Sequence, residues 1–393
     1  MIVRQFLHWV RTASAGERAE ATSALARAFL FSDLSRDDRS AAEGAMIVLL
    51  DDPSPLVRGA LAQVLAASPK APPAIIQALA ADQPEIAVPV IECSPLFIDA
   101  DLVDIVATGP SAVQAAVARR APLPCAVAAA IAEVGSAEAC LELIENPNAD
   151  IAPFSIDRMV ARFGHLAAIR EALFARGDLP VSTRHSLVAK LSETLAEFVA
   201  AREWLGAERA QRIAQEACER ATITLAAQSP ARETRPLIRH LCDNGQLTAG
   251  LILRALLCGN LALFEEALAE LSGLPLARVQ GYVHDNRGAG FRAAYDKARL
   301  PASTWPAFRA AIDAMREAGP LAESGGPASL KRRMIERVLT GCEKAEIGDV
   351  EPLLTLLRRF ATEAAREEAR RYCEELVADE MVDRIVEEER FAA

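Results

Sequence analysis

The chain has 393 residues, a formal net charge of −11, and 51% hydrophobic residues of which few are aromatic (5% of the chain). The acidic balance argues against general affinity for phosphate backbones, so that nucleic acid could be bound only through a local basic patch. The length indicates two or three domains or one elongated array. A core built mainly from Ala, Leu, Val and Ile lets helices approach closely, and alternating strand patterns are scarce. We therefore expect an all-α fold.

The sequence carries no signal for export or membrane insertion. Residues Met1 to Arg18 lack the apolar core of a signal peptide. No apolar run approaches the roughly 20 residues that are needed to span a bilayer. We expect a soluble, cytoplasmic protein. Its eight cysteines show no close pairing, and they lie mostly in apolar-periodic segments, which predicts buried free thiols rather than disulfides: Cys93, Cys125, Cys140, Cys218, Cys242, Cys258, Cys342 and Cys373.

The first predicted element is an N-terminal helical cap over residues 1–33. Residues Met1 to Ala28 form one or two helices in this interpretation, with Phe6, Trp9 and Val10 on an apolar face. A helical array would otherwise expose the apolar end of its first repeat, so a cap is expected there.

The next element is a helical hairpin centred on the turn Asp51-Asp52-Pro53-Ser54. An amphipathic helix from Ser35 to Leu50 leads into the turn, and a second one from Pro55 to Ala66 leads out of it. Ser54 is a favourable N-cap, and Pro55 suits the first helical position because its missing N–H costs nothing there. A hairpin with one apolar face cannot bury that face alone, so the sequence should contain further copies.

Comparable turns recur along residues 34–179. Taking Asp52 as the marker, they fall at Asp82, Gly109, Gly135 and Gly164, at intervals of 30, 27, 26 and 29 residues. The period is shorter than the roughly 40 residues of HEAT and armadillo units. We therefore predict four to five short, degenerate helical hairpins in this region.

From residue 180 the pattern changes to a second helical region that extends to residue 318. Two longer amphipathic helices, Thr183 to Trp204 and Gly206 to Ala227, come first. Leu274-Pro275 and Leu300-Pro301 then mark equivalent turns between paired helices. The shorter helices are predicted near Arg232–Asp243, Leu247–Leu257, Leu261–Leu271, Leu276–His284, Gly288–Ala298 and Ser303–Ala318.

The C-terminal part consists of a linker, residues 319–329, followed by charged helices over residues 330–393. Gly325-Gly326-Pro327 marks the linker. Residues 361–393 carry eleven acidic side chains against five arginines, which is typical of a solvent-exposed helix. The predicted helix Val350–Ala378 nevertheless has an apolar face that must pack somewhere. Packing against the same chain is one possibility, and a homodimer or partner contact is the other: Leu353, Leu356, Leu357, Phe360 and Ala364.

The hairpin array resembles HEAT-like repeats. Asp51 and Asp52, followed by Arg58, look like the turn aspartate and helix arginine of such units. This resemblance implies a solenoid of helical hairpins, an α-α superhelix. Only the first hairpin carries the arginine, however, so the sequence does not predict an Asp–Arg ladder along the array.

A second resemblance rests on the later part of the chain. The motifs are Gly259-Asn260 with Leu263-Phe264-Glu265-Glu266-Ala267-Leu268-Ala269, then Gly273-Leu274-Pro275 with Val279, and Gly290-Phe291 with Tyr295-Asp296-Lys297-Ala298-Arg299-Leu300-Pro301. They resemble an uncharacterised bacterial family of HEAT-like proteins, found mainly in alphaproteobacteria and described only as a domain of unknown function. The resemblance covers roughly residues 30 to 320. It implies an α-helical repeat fold and no catalytic residues.

The sequence predicts no metal, cofactor or catalytic residues. The five histidines are scattered without a metal-ligand motif, and His240 and Cys242, two residues apart on a helix, face different ways. We interpret them as a surface histidine beside a core cysteine. No nucleophile elbow or phosphate-binding glycine loop occurs. Paired carboxylates lie at turns or on solvated helix faces, where capping explains them: Asp37-Asp38, Asp51-Asp52 and Glu265-Glu266.

Two functions remain after these exclusions. HEAT-like scaffolds include DNA-alkylation-repair glycosylases, but an enzyme or binder of this kind needs a basic groove with aromatic side chains. The basic candidates lie far apart, and Trp9, Trp204 and Trp305 are not interleaved with them: Arg119-Arg120, Lys331-Arg332-Arg333 and Arg358-Arg359. A nucleic-acid partner is therefore the alternative. The favoured function is a non-catalytic scaffold that binds other proteins in a regulatory or assembly role.

The candidate binding residues lie in one turn of the second region, where polar side chains concentrate. Helix capping is the competing explanation for them. The predicted set is Tyr282, His284, Asp285, Asn286 and Arg287.

Overall fold

The computed structural model describes residues 9–10, 12–285, 288–318, 332, 334–340 and 351–392. Every regular element in these residues is helical, which confirms the all-α prediction. A single isolated backbone pairing joins the loops at Leu123 and Ala149. Phe6, Cys342, the linker at 319–329 and two of the predicted binding residues, Asn286 and Arg287, lie outside the described residues.

We number the helices in chain order. The first eleven are α1 (Ala15–Phe31), α2 (Arg36–Leu50), α3 (Pro55–Leu65), α4 (Pro73–Ala80), α5 (Pro84–Cys93), α6 (Asp99–Thr108), α7 (Ser111–Ala118), α8 (Cys125–Val134), α9 (Ala137–Glu145), α10 (Pro153–Phe163) and α11 (Ala167–Ala175). They are followed by α12 (Val181–Ala201), α13 (Ala207–Gln228), α14 (Ala231–Asp243), α15 (Ala249–Leu257), α16 (Leu261–Ser272), α17 (Leu276–His284), α18 (Ala289–Lys297), a 3₁₀ turn (Ala302–Thr304), α19 (Trp305–Ala318) and α20 (Glu351–Ala392). Residues 334–340 are also helical.

The chain divides into two compact units, Met1–Leu179 (unit 1) and Pro180–Ala393 (unit 2). In unit 1 most helices pack mainly against the helix two places along the chain, whereas α2 and α4 pack mainly on their chain neighbours α1 and α5. The odd row runs from α1 to α11 through α3, α5, α7 and α9, and the even row contains α2, α4, α6, α8 and α10. Five helical hairpins therefore stack side by side.

The turn residues read from the sequence separate the two helices of each hairpin. Asp52, Asp82, Gly109, Gly135 and Gly164 lie between α2 and α3, α4 and α5, α6 and α7, α8 and α9, and α10 and α11. The residues at the helix starts are of the types that suit a first helical turn. Pro occupies the first turn of α3, α4, α5 and α10, where no backbone donor is lost.

Ser54 differs from the expectation, because its side chain makes no capping bond. The carboxylate of Asp52 accepts a hydrogen bond from the Ser54 backbone N–H at 2.8 Å instead. Asp52 can do so because it is also held from the other side by Arg18 of α1, whose Nε and Nη2 donate to its two oxygens at 2.8 Å.

This pair is the first rung of an Asp–Arg ladder that the sequence did not predict. In the second rung, Arg58 donates to Asp82 through Nε at 2.5 Å and Nη2 at 3.0 Å, and its Nη1 reaches the carbonyl of Asp52 at 2.6 Å. The ladder was missed because its first arginine, Arg18, lies in the segment assigned to the cap. Each arginine thus joins its own helix to the turn of the following hairpin.

Further along unit 1, side chains bridge successive hairpins through backbone carbonyls. The amide of Asn146 donates to the carbonyls of Ala118 and Arg120 at 2.7 and 2.8 Å. Arg162 donates to those of Ala132 and Gly135 at 2.8 and 2.7 Å. These bonds satisfy carbonyls at helix ends, which would otherwise lack partners.

Unit 2 is built around one apolar core that draws on α12 to α19 and on α20. Its centre is aromatic: Phe264 stacks near Phe308 with ring centroids 6.1 Å apart, and Tyr295 meets Trp305 at 5.0 Å. The phenol of Tyr295 donates to the carbonyl of Pro301 at 2.6 Å, so the buried hydroxyl is paired.

Helix α20 contributes its apolar face to this core. Leu353, Leu357, Phe360 and Ala364 are buried there, and Leu356 is partly buried against it. The sequence left two options for this apolar face, packing against the same chain or a homodimer contact through the C-terminal helices. The same chain covers it. Contacts within unit 2 account for all five of these side chains.

The cysteines differ from the sequence interpretation. Of those described, Cys140 is buried, whereas Cys93, Cys242 and Cys373 are exposed, and Cys125, Cys218 and Cys258 are intermediate. An apolar-periodic helix still presents a polar face, and a small side chain at its border is not forced inside.

Candidate functional site

The predicted binding turn after α17 is organised as a helix end. The guanidinium of Arg316 in α19 donates through Nη2 to the carbonyls of Val283 and Asp285, at 2.6 and 2.7 Å. These carbonyls lack partners within α17, so the arginine caps the helix from a distance. Gly288 then turns the chain with φ +71°, a left-handed conformation that favours glycine.

The described members of the predicted set have separate environments. The Tyr282 ring packs against the core of unit 2 beside Gly290, so close that a Cβ on this glycine would lie 2.4 Å from the ring. The exposed His284 places Nε2 3.5 Å from a carboxylate oxygen of the nearly buried Glu265, which also accepts from Gln280 at 3.0 Å. These contacts are those of a structural helix end. A binding role for Tyr282, His284 and Asp285 remains a prediction.

The first pair of arginines considered for a nucleic-acid groove, Arg119 and Arg120, is held by acidic and backbone oxygens. Arg119 lies between Glu92 and Glu142, with both N–O distances 3.1 Å. Arg120 donates to the backbone carbonyls of Ile91 and Ser94.

Two of the C-terminal basic candidates, Arg332 and Arg359, are paired with acids, whereas Lys331 and Arg333 lie outside the described residues. Arg332 pairs with Glu336 and Glu368 at 2.8 and 2.9 Å, and Arg359 pairs with Glu216 at 2.7 Å. Phosphate contacts require arginines and lysines that can exchange counterions for phosphate. Arginines already held by carboxylates and carbonyls do not offer this.

A polar cavity of about 210 Å³ lies in unit 2 between α12, α13 and the loop before α15. The imidazole of His185 is buried in its wall, and burial lowers its pKa to about 4, with a further lowering by His240. His185 Nε2 lies 3.9 Å from Cys218 Sγ. Burial raises the pKa of the Cys218 thiol, so this cysteine is a poor nucleophile despite its histidine neighbour.

The neighbouring pair His240 and Cys242 does not act together. His240 contacts Ser186 through Nε2 at 3.1 Å and packs edge-on against the His185 ring, whereas Cys242 is exposed rather than in the core. In the part of the chain that the structure describes, no group of three His, Cys, Asp or Glu side chains is placed to hold a metal ion.

Unit 1 contains an open cleft where the even row of helices separates. α4 packs on α2 and α6 packs on α8, but packing between α4 and α6 is weak. The resulting cleft has a volume of about 420 Å³. α4 and α6 form its walls, and the first turns of α5 and α7 form its floor. We call it the α4–α6 cleft.

The lining of the α4–α6 cleft combines apolar and acidic side chains. Phe97, Ile105 and Val113 supply the apolar part, and Asp101 and Asp104 stand on the α6 wall. Asp101 caps α6 by accepting from the Ile98 N–H at 3.1 Å, whereas Asp104 is exposed. Asp82 also lines the cleft but is held by Arg58. No lysine, arginine or histidine is among the described residues of the lining.

The sequence did not point to this cleft. Turn spacing predicts where hairpins begin and end, but it does not fix how far apart neighbouring helices of one row stand. The five-residue connection from Ser94 to Ile98 and the exposed Ile98 were the local signs of an irregularity. They become informative only when α4 and α6 are seen to separate.

Comparison with known proteins places the chain in a family. Residues 86–347 match the family described as "Uncharacterised protein conserved in bacteria (DUF2336)". The chain belongs to this family. The match confirms the resemblance that the Gly259–Pro301 motifs indicated. No curated protein and no solved structure matches the chain.

Among the described residues, no helix is both long enough and apolar enough to cross a membrane.

Proposed function

We propose that this family member is a non-catalytic helical-repeat scaffold that binds other proteins in a regulatory or assembly role. Unit 1 is its binding part in this proposal, a HEAT-like solenoid of short hairpins. The two-row packing of α1 to α11 supports the solenoid interpretation, because stacked hairpins of this kind present extended surfaces to partners.

The observation that carries the proposal is the α4–α6 cleft. It is large enough for several side chains, has an apolar floor and an acidic wall, and is not filled by any segment that the structure describes. Sites of this composition favour a partner segment that carries apolar anchors beside lysine or arginine. A protein segment fits this description, whereas a phosphate backbone would be repelled.

The alternative, a nucleic-acid enzyme or binder, is not favoured by any described feature. Arg119, Arg332 and Arg359 are paired with carboxylates. Trp305 lies in the core of unit 2 and Trp204 at the end of a helical hairpin, so neither faces a basic groove.

The proposal is tested by capturing partners in the native cell with three forms of the full-length protein. One is unchanged, one carries Asp104→Lys with Thr108→Trp, and one carries Glu171→Lys. Both positions are exposed. Asp104→Lys cancels the negative charge of the α6 wall, where Asp101 remains, and Thr108→Trp places an indole in the cleft. Glu171→Lys makes the same charge change at an exposed position on α11.

A protein recovered in stoichiometric amount with the unchanged and Glu171→Lys forms, and reduced at least tenfold with the cleft variant, is the expected result. Nucleic acid retained in a salt-sensitive way by all three forms would contradict the proposal, as would a partner whose recovery ignores the cleft variant.

A further inference from the structure

A groove in unit 2 between α13 and α20 is lined by arginines, in a chain whose net charge is −11. Its volume is about 450 Å³, within the range of roughly 300–1,000 Å³ that is usual for small-ligand sites. We call it the arginine groove. Its arginines come from three helices, α13, α15 and α20: Arg220, Arg254, Arg366, Arg370 and Arg371.

The two long helices run side by side in the same direction along the arginine groove. Arg359 of α20 pairs with Glu216 of α13 at 2.7 Å. Four residues further along both helices, Glu363 lies 3.8 Å from Arg220. The lining residues of α20 then recur every three or four positions up to Glu374, so they share one face of that helix.

The acidic residues of α13 end before the unpaired arginines of α20 begin. Glu219 is the last Asp or Glu of α13, which continues to Gln228. In the register of the two pairs above, Arg366 and Arg370 therefore lie opposite a stretch of α13 that has no carboxylate. Among the described residues neither they nor Arg371 form an ion pair.

The glutamates of α20 do not neutralise the arginine groove. Glu363 is bound by Arg254, which is almost fully buried, and its contact with Arg220 is longer than a hydrogen bond. Three glutamates against five arginines leave the described lining with a net charge of +2: Glu363, Glu367 and Glu374. A cleft with an excess of one charge attracts and concentrates the opposite one.

A phosphate group has the charge and the shape that this lining requires. A phosphate monoester carries about −1.5 to −2 at neutral pH and has three acceptor oxygens. This charge balances the +2 of the lining. The planar guanidinium fork matches phosphate oxygens, and bonds between charged partners are the strong ones. Ile223 and Thr224 in the α13 wall offer an apolar contact and a hydroxyl to the rest of a ligand.

The ends of the arginine groove favour a small anion over a nucleic-acid strand. Glu363 and Glu374 are its first and last lining residues on α20, about 16 Å apart along the helix. A nucleic-acid backbone continues in both directions with a charge on every nucleotide, so its further phosphates would meet these carboxylates. A single phosphate group between them would not.

We propose that the arginine groove binds a dianionic phosphate group, either the free ion or the phosphate of a small molecule. Arg220, Arg366 and Arg370 donate to its oxygens in this proposal, while Arg254 stays bound to Glu363. The site lies within unit 2 and does not depend on the proposed scaffold function of unit 1.

The test is isothermal titration calorimetry of the purified full-length protein at physiological salt, with inorganic phosphate, adenosine monophosphate and adenosine as probes. The groove variant carries Arg366→Gln with Arg370→Gln. The matched control carries Arg209→Gln with Arg212→Gln, which removes the same charge from exposed positions of α13 outside the groove. All four side chains are exposed, and unchanged circular dichroism will show that the fold is kept.

The unchanged chain and the control should bind phosphate and adenosine monophosphate but not adenosine. The groove variant should bind at least about thirtyfold more weakly, as expected when two charge-assisted contacts are lost. Equal affinities for the ion and the nucleotide would identify the free ion as the ligand. Tighter binding of the nucleotide would identify a phosphate ester.

Three results would overturn the proposal. The first is no binding of either phosphate probe at millimolar concentration. The second is an equal loss of affinity in the groove variant and the control, which would mean that only the overall charge matters. The third is adenosine binding as tightly as adenosine monophosphate, because the phosphate group would then contribute nothing.

Discussion

Individual arginines determine how the hairpins of unit 1 are joined. Arg58 binds both oxygens of Asp82 and a backbone carbonyl, with the two charged side chains about one-sixth exposed. The guanidinium holds the pKa of the Asp82 carboxyl below its usual value, mainly through the hydrogen bond. A pair of this geometry is stronger than an ordinary surface ion pair, because two parallel bonds form away from bulk water.

Asp82→Asn should lower the free energy of unfolding by about 1–3 kcal/mol, as expected for loss of a charge-assisted hydrogen-bond pair. Asparagine can still accept the hydrogen bond from the Gln83 N–H, so that the turn itself is kept. Urea unfolding followed by circular dichroism at neutral pH measures the change.

The matched control is Asp296→Asn, which removes the exposed i,i+4 partner of Arg292 at 2.9 Å. This change should cost about 0.5 kcal/mol or less. Equal losses in the two variants would mean that the Asp–Arg ladder contributes no more than a surface pair.

His185 gives the fold a dependence on pH. Its pKa falls from 6.5 to about 4 on folding, mainly through burial. Below pH 6.5 the His185 imidazole is therefore protonated in the unfolded chain while it stays neutral in the folded chain. Above pH 6.5 His185 does not change the free energy of unfolding. As the pH falls towards 4, His185 lowers this free energy by an amount on the order of 3 kcal/mol.

His185→Gln should flatten this dependence, and comparing the unfolding free energies of the two proteins at pH 7.5 and 4.5 measures it. The comparison is needed because burial raises the pKa of the nearby Glu219, which acts in the opposite direction. That contribution cancels between the two proteins. A variant with the same pH slope as the unchanged chain would contradict the assignment to His185.

At the scale of elements, the sequence predicted the hairpins well and their packing poorly. Turns carry local chemistry: Asp52 and Asp82 cap, and Gly109 and Gly135 end helices, so their positions could be read directly. The rotation of each helix about its axis has no such marker. In the first turn of α3, Leu56 is 65% exposed whereas its neighbour Val57 is buried.

The candidate sites show the same division. The polar turn after α17 was visible because its side chains are adjacent in sequence, yet Arg316, which organises it, comes about thirty residues later. The α4–α6 cleft depends on which helices stand apart. That is decided by packing over the whole unit, so periodicity could not predict it.

The contact between α17 and α18 can be tested with two glycines. Gly290→Ala should destabilise unit 2 by about 1–3 kcal/mol, because the new methyl group would lie within 3 Å of the Tyr282 ring. Gly281→Ala, in the interior of α17 with open space around it, should stabilise by about 0.5–1 kcal/mol. Thermal unfolding measures both. Equal shifts in the two variants would show that Tyr282 does not pack against α18 in this way.

At the scale of the whole molecule, the family match and the folded units have different limits. The match begins within α5, crosses the division between Leu179 and Pro180, and ends at residue 347, before α20 begins. α20 nevertheless supplies four buried side chains to unit 2, and its Glu363 pairs with Arg254, which is almost fully buried. The folded unit is therefore longer than the segment by which the family is recognised.

A chain ending at residue 347 should consequently fail to form unit 2, whereas residues 1–179 alone should fold. Losing Leu353, Leu357 and Phe360 from the core removes roughly 5 kcal/mol or more of burial, comparable with the whole stability of a domain. Arg254 would also keep its burial and lose Glu363 as a partner, which is costly in itself. Cooperative thermal unfolding and dye binding to exposed apolar surface separate the two outcomes. If the 1–347 chain unfolds as cooperatively as the full chain without binding the dye, α20 is an addition to the core and not part of it.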